Sequence, residues 1–145
     1  MQMSNENNVA DRIALQDVML KYAAGVDERD FDLYASCFLE NVEVVDFGEA
    51  PINGRDEWVE YVKGALDNYG PTQHMLGPQL ATIDGNNAHC RTDVQALHYL
   101  KQPEAKYLHF GQLMRRIWYV LMMLENIQTS TCIRGIRHIR KYKMK

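Results

Sequence analysis

The sequence contains no long uninterrupted run of apolar residues. The longest runs, such as residues 117–124, have eight residues, whereas a helix that crosses a bilayer needs about 20. The first twelve residues are polar and lack the basic start and apolar stretch of a secretory signal. We therefore expect a cytoplasmic protein that does not associate with membranes.

Cysteine is scarce, and its spacing argues against two kinds of site. The three cysteines, Cys37, Cys90 and Cys132, are an odd number and lie far apart. Disulfide frameworks use even numbers of cysteines, and zinc sites need closely spaced pairs. We therefore predict reduced, buried thiols that pack as small hydrophobic side chains.

Several catalytic signatures are also absent. The sequence has no glycine-rich nucleotide motif, no GxSxG of serine hydrolases and no HExxH of zinc proteases. A metal site formed by His89, His98 and His109 is not expected, because His89 and His98 face opposite sides of a regular strand. We therefore predict neither a metal nor an organic cofactor.

The composition is that of one globular domain with an uneven charge. Of the 145 residues, 46% are hydrophobic and 10% aromatic, which suffices for a single core at this length. The net charge is −3, but residues 134–145 carry six basic residues and no acid. We predict one domain over residues 1–145 with a solvated, partly disordered basic tail, residues 136–145. No nucleic-acid partner is expected, because the body lacks a basic face.

Three stretches repeat apolar residues at helical spacing, and all of them lie in the first half of the chain. They cover residues 9–26, 31–38 and 58–69. Asp30 is a candidate N-cap of the second helix. The glycine–proline pair at 70–71 is expected to end the third helix.

The rest of the chain favours strands joined by tight turns. In residues 88–99, alternation places Val94, Ala96 and His98 on one face and Asp93 on the other. Helices followed by antiparallel strands indicate an α+β fold in which the N-terminal helices cover one face of a curved, mostly antiparallel sheet. Strands are predicted over residues 42–47, 80–83, 88–99, 107–119 and 121–133, and residues 121–124 are equally compatible with a buried helix.

Two isolated polar residues are candidates for chemistry. Asp27 follows the apolar stripe of the first helix, and His74 follows the expected end of the third. A neutral imidazole accepts a proton near pH 7, and a carboxylate bonded to its other nitrogen fixes the tautomer and stabilises the imidazolium. Each residue taken alone is also compatible with a structural role, Asp27 as a helix cap and His74 as a hydrogen-bonded strand residue.

The order of several short motifs resembles a known family. DRIALQD, YAAGVD and FDLYASCF in the first two helices, INGR before the third helix and QHM after it are similar to SnoaL-like members of the NTF2-like superfamily. The nearest groups by pattern are the scytalone dehydratases and the hexachlorocyclohexane dehydrochlorinases. The resemblance implies a cone-shaped α+β barrel that encloses a pocket, and a homo-oligomer, either a trimer or a dimer.

The resemblance also implies roles for individual residues. In that group an aspartate after the first helix orients a histidine base, and the matching residues here are Asp27 and His74. His98 matches a second histidine on a central strand, and Tyr22 and Tyr34 are candidate substrate contacts, although aromatic residues at helical spacing are more often core. The implied activity is that of a cofactor-independent lyase, of dehydratase or dehydrohalogenase type, or an isomerase. Its substrate would be small, apolar, and cyclic or aromatic.

Two other functions stay open at this point. A non-catalytic module of the same fold would bind a small ligand or assemble with partners. An enzyme of the ketosteroid-isomerase type would need a carboxylate base, and Asp93 would serve only in the opposite strand register. Residues 107–145 depart from the family pattern, because no turn glycine precedes Trp118.

Overall fold

A computed structural model describes residues 5–47, 49–85, 87–101, 111–123, 128–129 and 133–141. Helices precede most of the strands, which confirms the predicted α+β class. Within these residues, no helix is both long and apolar enough to span a membrane. The helices are α1 (Asn5–Glu28), α2 (Phe31–Ala35) and α3 (Arg55–Leu66). The strands are β1 (Glu43–Val45), β2 (Ile52–Asn53), β3 (Tyr69–Asp84), β4 (Asn87–Leu100), β5 (Gly111–Met123), β6 (Gln128–Thr129) and β7 (Ile133–Lys141).

The strands form a single seven-stranded sheet. Its order is β2-β1-β7-β5-β4-β3, and β6 pairs with β5 outside this path. All pairs are antiparallel except β1 with β7. In the long β3–β4 hairpin, Thr72 lies opposite His98 and His74 lies opposite Ala96. These four residues therefore share one face of the sheet.

The core combines buried side chains of all three helices with those of β1 and of one face of β4. The predicted apolar stripe of α1 is buried throughout, and one face of β4 is buried in strict alternation. The predicted register of β4 is therefore confirmed, and Asp93 lies on the opposite face. The buried stripe consists of Leu15, Val18, Met19, Tyr22 and Val26, and the buried face of β4 of Ala88, Cys90, Thr92, Val94 and Ala96.

Helices α1 and α2 approach closely at Gly25. A Cβ atom at this position would lie 2.8 Å from the backbone nitrogen of Tyr34, so only glycine fits without displacing α2. The predicted N-cap of α2 is confirmed, because the Asp30 carboxylate accepts from the backbone N–H of Leu33 at 2.9 Å. The connection between α1 and α2 leaves the end of α1 against the beginning of β3.

The predicted boundary between the third helix and the next strand is wrong. Helix α3 ends at Leu66, and Tyr69 already begins β3, which continues through Gly70 and Pro71. Proline is tolerated here because β3 is at one end of the sheet order and its pairing shifts between Tyr69 and Thr72. His74 therefore lies within a strand rather than in a connection before one.

Two predictions for the C-terminal part are also wrong. Strand β5 continues through Met123, so residues 121–123 extend the strand and do not begin a new element. Residues 136–141 are not a disordered tail, because their backbone belongs to β7, which pairs with β5 and β1. Basic side chains do not prevent a backbone from completing a sheet. His109, Cys132 and residues 142–145 lie outside the described residues.

Cys37 and Cys90 are buried thiols and form no disulfide, as predicted. Burial raises the pKa of Cys37 to about 12 and that of Cys90 to about 11. The Sγ–H group of Cys37 donates to the carbonyl oxygen of Val18 at 3.5 Å. Both thiols therefore belong to the packing of the core, because the thiolate is the reactive form.

Candidate active site

The carboxylate of Asp27 lies in the last turn of α1 and faces strand β3. Its Oδ1 atom is 2.7 Å from Nδ1 of His74. Its Oδ2 atom accepts the backbone N–H of His74 at 2.7 Å, and Oδ1 also accepts the hydroxyl of Thr72 at 2.9 Å. The structure thus brings together the two residues that the sequence singled out, although they are 47 positions apart.

Both side chains of this Asp27–His74 pair are largely removed from solvent. The His74 side chain is 9% exposed and the Asp27 side chain 22% exposed. Asp27 is not a helix cap, because it lies at the C-terminal end of α1, where the helix dipole disfavours an acid. Its donors on β3 offset that disadvantage.

The surroundings of Asp27 favour its ionised form. Burial raises the pKa of Asp27, but the hydrogen bonds from the His74 ring and backbone, the charge of His74 and the Thr72 hydroxyl together hold it below its ordinary value. An ionised carboxylate only accepts hydrogen bonds, so Nδ1 of His74 is the donor. From this network we assign the proton of the neutral imidazole to Nδ1 and the lone pair to Nε2.

Aromatic rings border the His74 imidazole. The His98 ring centroid lies 5.5 Å from that of His74, and the Tyr22 ring lies 6.3 Å away, both edge-on. His98 also contacts Tyr69, with ring centroids 4.9 Å apart. Tyr34 packs one ring further away, against Tyr22 at 5.0 Å. Of the predicted substrate contacts, His98 and Tyr22 therefore lie against His74, and Tyr34 lies behind Tyr22.

The sequence interpretation missed three residues around this pair. Tyr69 was assigned to the stripe of the third helix, although it begins β3. Thr72 lies two positions before His74, and residues two apart in a strand share a face, which would have revealed it. Arg29, two positions after Asp27, carried no such signal. It is half-buried and donates to the Thr72 hydroxyl oxygen at 2.9 Å.

The turn end of the β3–β4 hairpin contains neither Asp27 nor His74 and borders a separate groove. His89 is exposed there, on the face of β4 opposite to His98. An open groove of about 400 Å³ lies nearby, and neither Asp27 nor His74 lines it. The predicted site and this groove are therefore separate. The groove is lined by Arg12, Gln79, Leu80, Ala81, Thr82, His89 and Arg91.

Comparison with known proteins places this arrangement in a family. The model of the SnoaL-like domain family matches residues 7–120. The chain belongs to this family. An uncharacterized protein of Mycobacterium tuberculosis is 28% identical to the SnoaL-like chain over 87 residues, and the match covers 57% of this chain and 57% of the relative. The chain thus spans little more than half the length of that relative.

Solved structures share the fold at low sequence identity. A protein of Novosphingobium aromaticivorans described as an aromatic ring hydroxylase has a TM-score of 0.76 at 20% identity, with 97% of this chain and 96% of that chain covered. A second protein of that organism, described as a scytalone dehydratase, has a TM-score of 0.70 at 18% identity and 98% and 94% coverage. The hexachlorocyclohexane dehydrochlorinase of Novosphingobium barchaimii has a TM-score of 0.73 at 18% identity, with 94% of each chain covered. The predicted NTF2-like fold is confirmed.

Proposed function

We propose that this SnoaL-like protein is a lyase or isomerase that removes a carbon-bound proton from a small, apolar, cyclic or aromatic substrate. His74 is the general base, and Asp27 is its orienting carboxylate. The observation that carries the proposal is the 2.7 Å contact between Asp27 Oδ1 and His74 Nδ1, made by an imidazole that is only 9% exposed. A histidine with a purely surface role would point to solvent.

The chemistry follows from the lone pair assigned to Nε2. This atom takes the proton as the C–H bond breaks, and the electron pair of that bond forms a double bond while a leaving group departs with its own pair. In an isomerisation the imidazolium instead returns the proton to another carbon. The ionised Asp27 stabilises the imidazolium in both cases, and its effect is strengthened by the low local polarity.

A general base alone accounts for a rate enhancement of roughly 10²- to 10⁴-fold. The remainder must come from positioning of the substrate and from donors to the developing oxyanion. We propose His98 as a second polar contact to the substrate, because its ring lies beside that of His74. Tyr22 would form an apolar wall, and Tyr34 would hold Tyr22 in place.

The names of two structural neighbours support the type of reaction. A dehydratase and a dehydrochlorinase both break a C–H bond and release a leaving group from a neighbouring atom. The third neighbour is described as a hydroxylase, so the shared fold does not by itself select the reaction. The weight of the proposal therefore rests on the Asp27–His74 pair.

The test begins with a thermal-shift screen of hydroxylated aromatics and cyclic ketones, followed by an absorbance assay of every compound that binds. We expect turnover by the wild-type protein and none by His74→Ala, which should stay folded although the loss of its ring hydrogen bond to Asp27 lowers the melting temperature. His89→Ala is the matched control and should keep full activity, because this histidine is exposed on the opposite face. Equal turnover by His74→Ala would refute the proposed base. Binding without turnover by the wild-type protein would favour a ligand-binding module instead.

We also propose that the chain forms a homo-oligomer, either a trimer or a dimer. The support is the resemblance to oligomeric members of the group and not a contact in this structure. Size-exclusion chromatography with light scattering tests it directly. A monomer at micromolar concentration would contradict the proposal.

A further inference from the structure

A second set of hydrogen bonds connects Asp27 of the Asp27–His74 pair to Thr72 and, through Thr72, to Arg29. The Arg29 guanidinium donates to three oxygens: the carbonyl of Val26, the carbonyl of Gly70 at 2.6 Å and the hydroxyl of Thr72 at 2.9 Å. The Thr72 hydroxyl in turn donates to Asp27 Oδ1 at 2.9 Å. These contacts join the end of α1 to the first residues of β3.

The direction of this chain is fixed by the chemistry of its members. A guanidinium has only donors, so the Thr72 oxygen must accept from Arg29. A hydroxyl has a single proton, and in this geometry the proton points to Asp27. The carboxylate only accepts, so His74 must donate through Nδ1. The chain therefore runs one way, from Arg29 through Thr72 to Asp27, and reversing any link would break a hydrogen bond.

The backbone of Arg29 has a conformation that is unfavourable for most residues. Its φ angle is 61°, in the left-handed region that is unfavourable for residues other than glycine. The residue directly follows α1, and this conformation accompanies a side chain that reaches back to Val26 and across to β3. A strained backbone that is held by several partners is a common feature of functional sites.

We infer that Arg29 and Thr72 are positioning residues, which hold the Asp27 carboxylate so that His74 keeps its proton on Nδ1 and its lone pair on Nε2. This inference rests on the proposed function for its catalytic meaning, because the lone pair on Nε2 is the base. Neither residue needs to touch the substrate. Thr72 acts through Asp27, and Arg29 acts through Thr72.

The experiment compares Thr72→Val with Thr72→Ser by NMR. Valine keeps the branched shape and removes the hydroxyl, whereas serine keeps the hydroxyl and removes only a methyl group. Nitrogen-15 shifts of His74 report which ring nitrogen carries the proton, and a carbon-13 titration follows the Asp27 carboxyl. We expect wild type and Thr72→Ser to keep the proton on Nδ1. Thr72→Val removes one of the donors that orient the carboxylate, so Asp27 can turn away from the His74 ring; we expect a mixture of both tautomers and a raised pKa of Asp27.

A merely structural role for Thr72 would change the melting temperature without changing the tautomer. Wild-type tautomer and wild-type Asp27 titration in Thr72→Val would therefore overturn the inference. Arg29→Lys is a second variant that keeps the charge but has a single nitrogen in place of the planar fork, whose two terminal nitrogens bind Thr72 and Gly70 separately. It should also shift the tautomer, and an unchanged tautomer would remove Arg29 from the chain.

The NMR readout separates this inference from the proposed function, because it needs no substrate. If Thr72→Val shifts the tautomer but no bound compound is turned over, the positioning chain stands and the proposed reaction fails. If His74 is essential for turnover but the tautomer does not depend on Thr72, the reaction stands and the positioning chain fails. With a substrate identified, Thr72→Val should lower kcat and leave KM unchanged, since the Thr72 hydroxyl would act through Asp27 and not on the substrate.

Discussion

The end of α1 and residues 60–64 of α3 contain the same kinds of residue in different surroundings. Around the end of α1, a glycine, an acid and a base all make contacts with other elements. Gly25 meets the backbone of Tyr34, Asp27 meets β3 across 47 positions and Arg29 meets it across 41. Each group is buried or half-buried.

The corresponding residues of α3 are more exposed and form their ion pair within the helix, and beyond the helix Lys63 Nζ lies 5.4 Å from the centroid of the Phe31 ring. Lys63 and Glu60 form a 2.6 Å ion pair within one helix, and their side chains are 41% and 71% exposed. In the described part of the chain, no atom other than those of its chain neighbours and of its own helix backbone lies within 4 Å of a Cβ placed at Gly64. Such surface pairs contribute about 0.5 kcal/mol or less. Residue type alone therefore does not mark the site, whereas the long-range hydrogen bonds of partly buried charged groups do.

The largest expected difference between the two regions is at the glycines. In Gly25→Ala the new Cβ would lie within 2.9 Å of three Tyr34 atoms, two of them backbone, and we expect a loss of about 3 kcal/mol of unfolding free energy. Gly64→Ala should instead stabilise by about 0.5 to 1 kcal/mol, because alanine favours a helix interior. Urea denaturation measures both. Equal stability of the two variants would contradict the close packing of α1 on α2.

The second largest expected difference is between the two acids, Asp27 at the end of α1 and Glu60 in α3. Asp27→Asn places amide protons against the donors of His74 and Thr72, and we expect a loss of about 1 to 3 kcal/mol in unfolding free energy. Its effect on turnover should be smaller than that of His74→Ala, because the base itself remains. Glu60→Gln is the control and should change stability by less than about 0.5 kcal/mol. Similar losses in both variants would show that Asp27 is no more tightly held than a surface acid.

The smallest expected difference is in the response to acid. Because folding lowers the pKa of Asp27, its contribution to stability is complete above the ordinary value of 3.8 and is lost as the pH falls through the lower value of the folded state. Wild type should therefore lose more unfolding free energy between pH 7 and pH 3 than Asp27→Asn loses. Glu60→Gln should follow wild type. Identical acid responses of wild type and Asp27→Asn would contradict the lowered pKa.

Local periodicity accounts for the parts of the fold that the sequence could predict. The stripe of α1 and the alternating face of β4 follow directly from the spacing of apolar residues. The first residues of β3 could not be predicted as a strand, because a glycine–proline pair usually interrupts regular structure. Only the pairing with β4 makes these residues part of the strand. In β7 the isoleucines recur at every third position, which matches neither side of a regular strand.

The site was predictable to the extent that single residues had a chemical role or a family counterpart. Asp27 and His74 had both. Thr72 and Arg29 had neither, because their importance lies in hydrogen bonds that join residues 43 positions apart. Such contacts depend on how α1 meets β3, which no local pattern encodes.

Deuterium exchange provides the most direct test of His74 as a base. Cyclic ketones that raise the melting temperature of the protein are incubated with it in D₂O, and the carbon-bound protons beside the carbonyl are followed by proton NMR. We expect these signals to disappear with wild type and with His89→Ala, and to persist at the uncatalysed rate with His74→Ala. Equal exchange in the presence of His74→Ala, or no exchange of any bound ketone with wild type, would contradict the account.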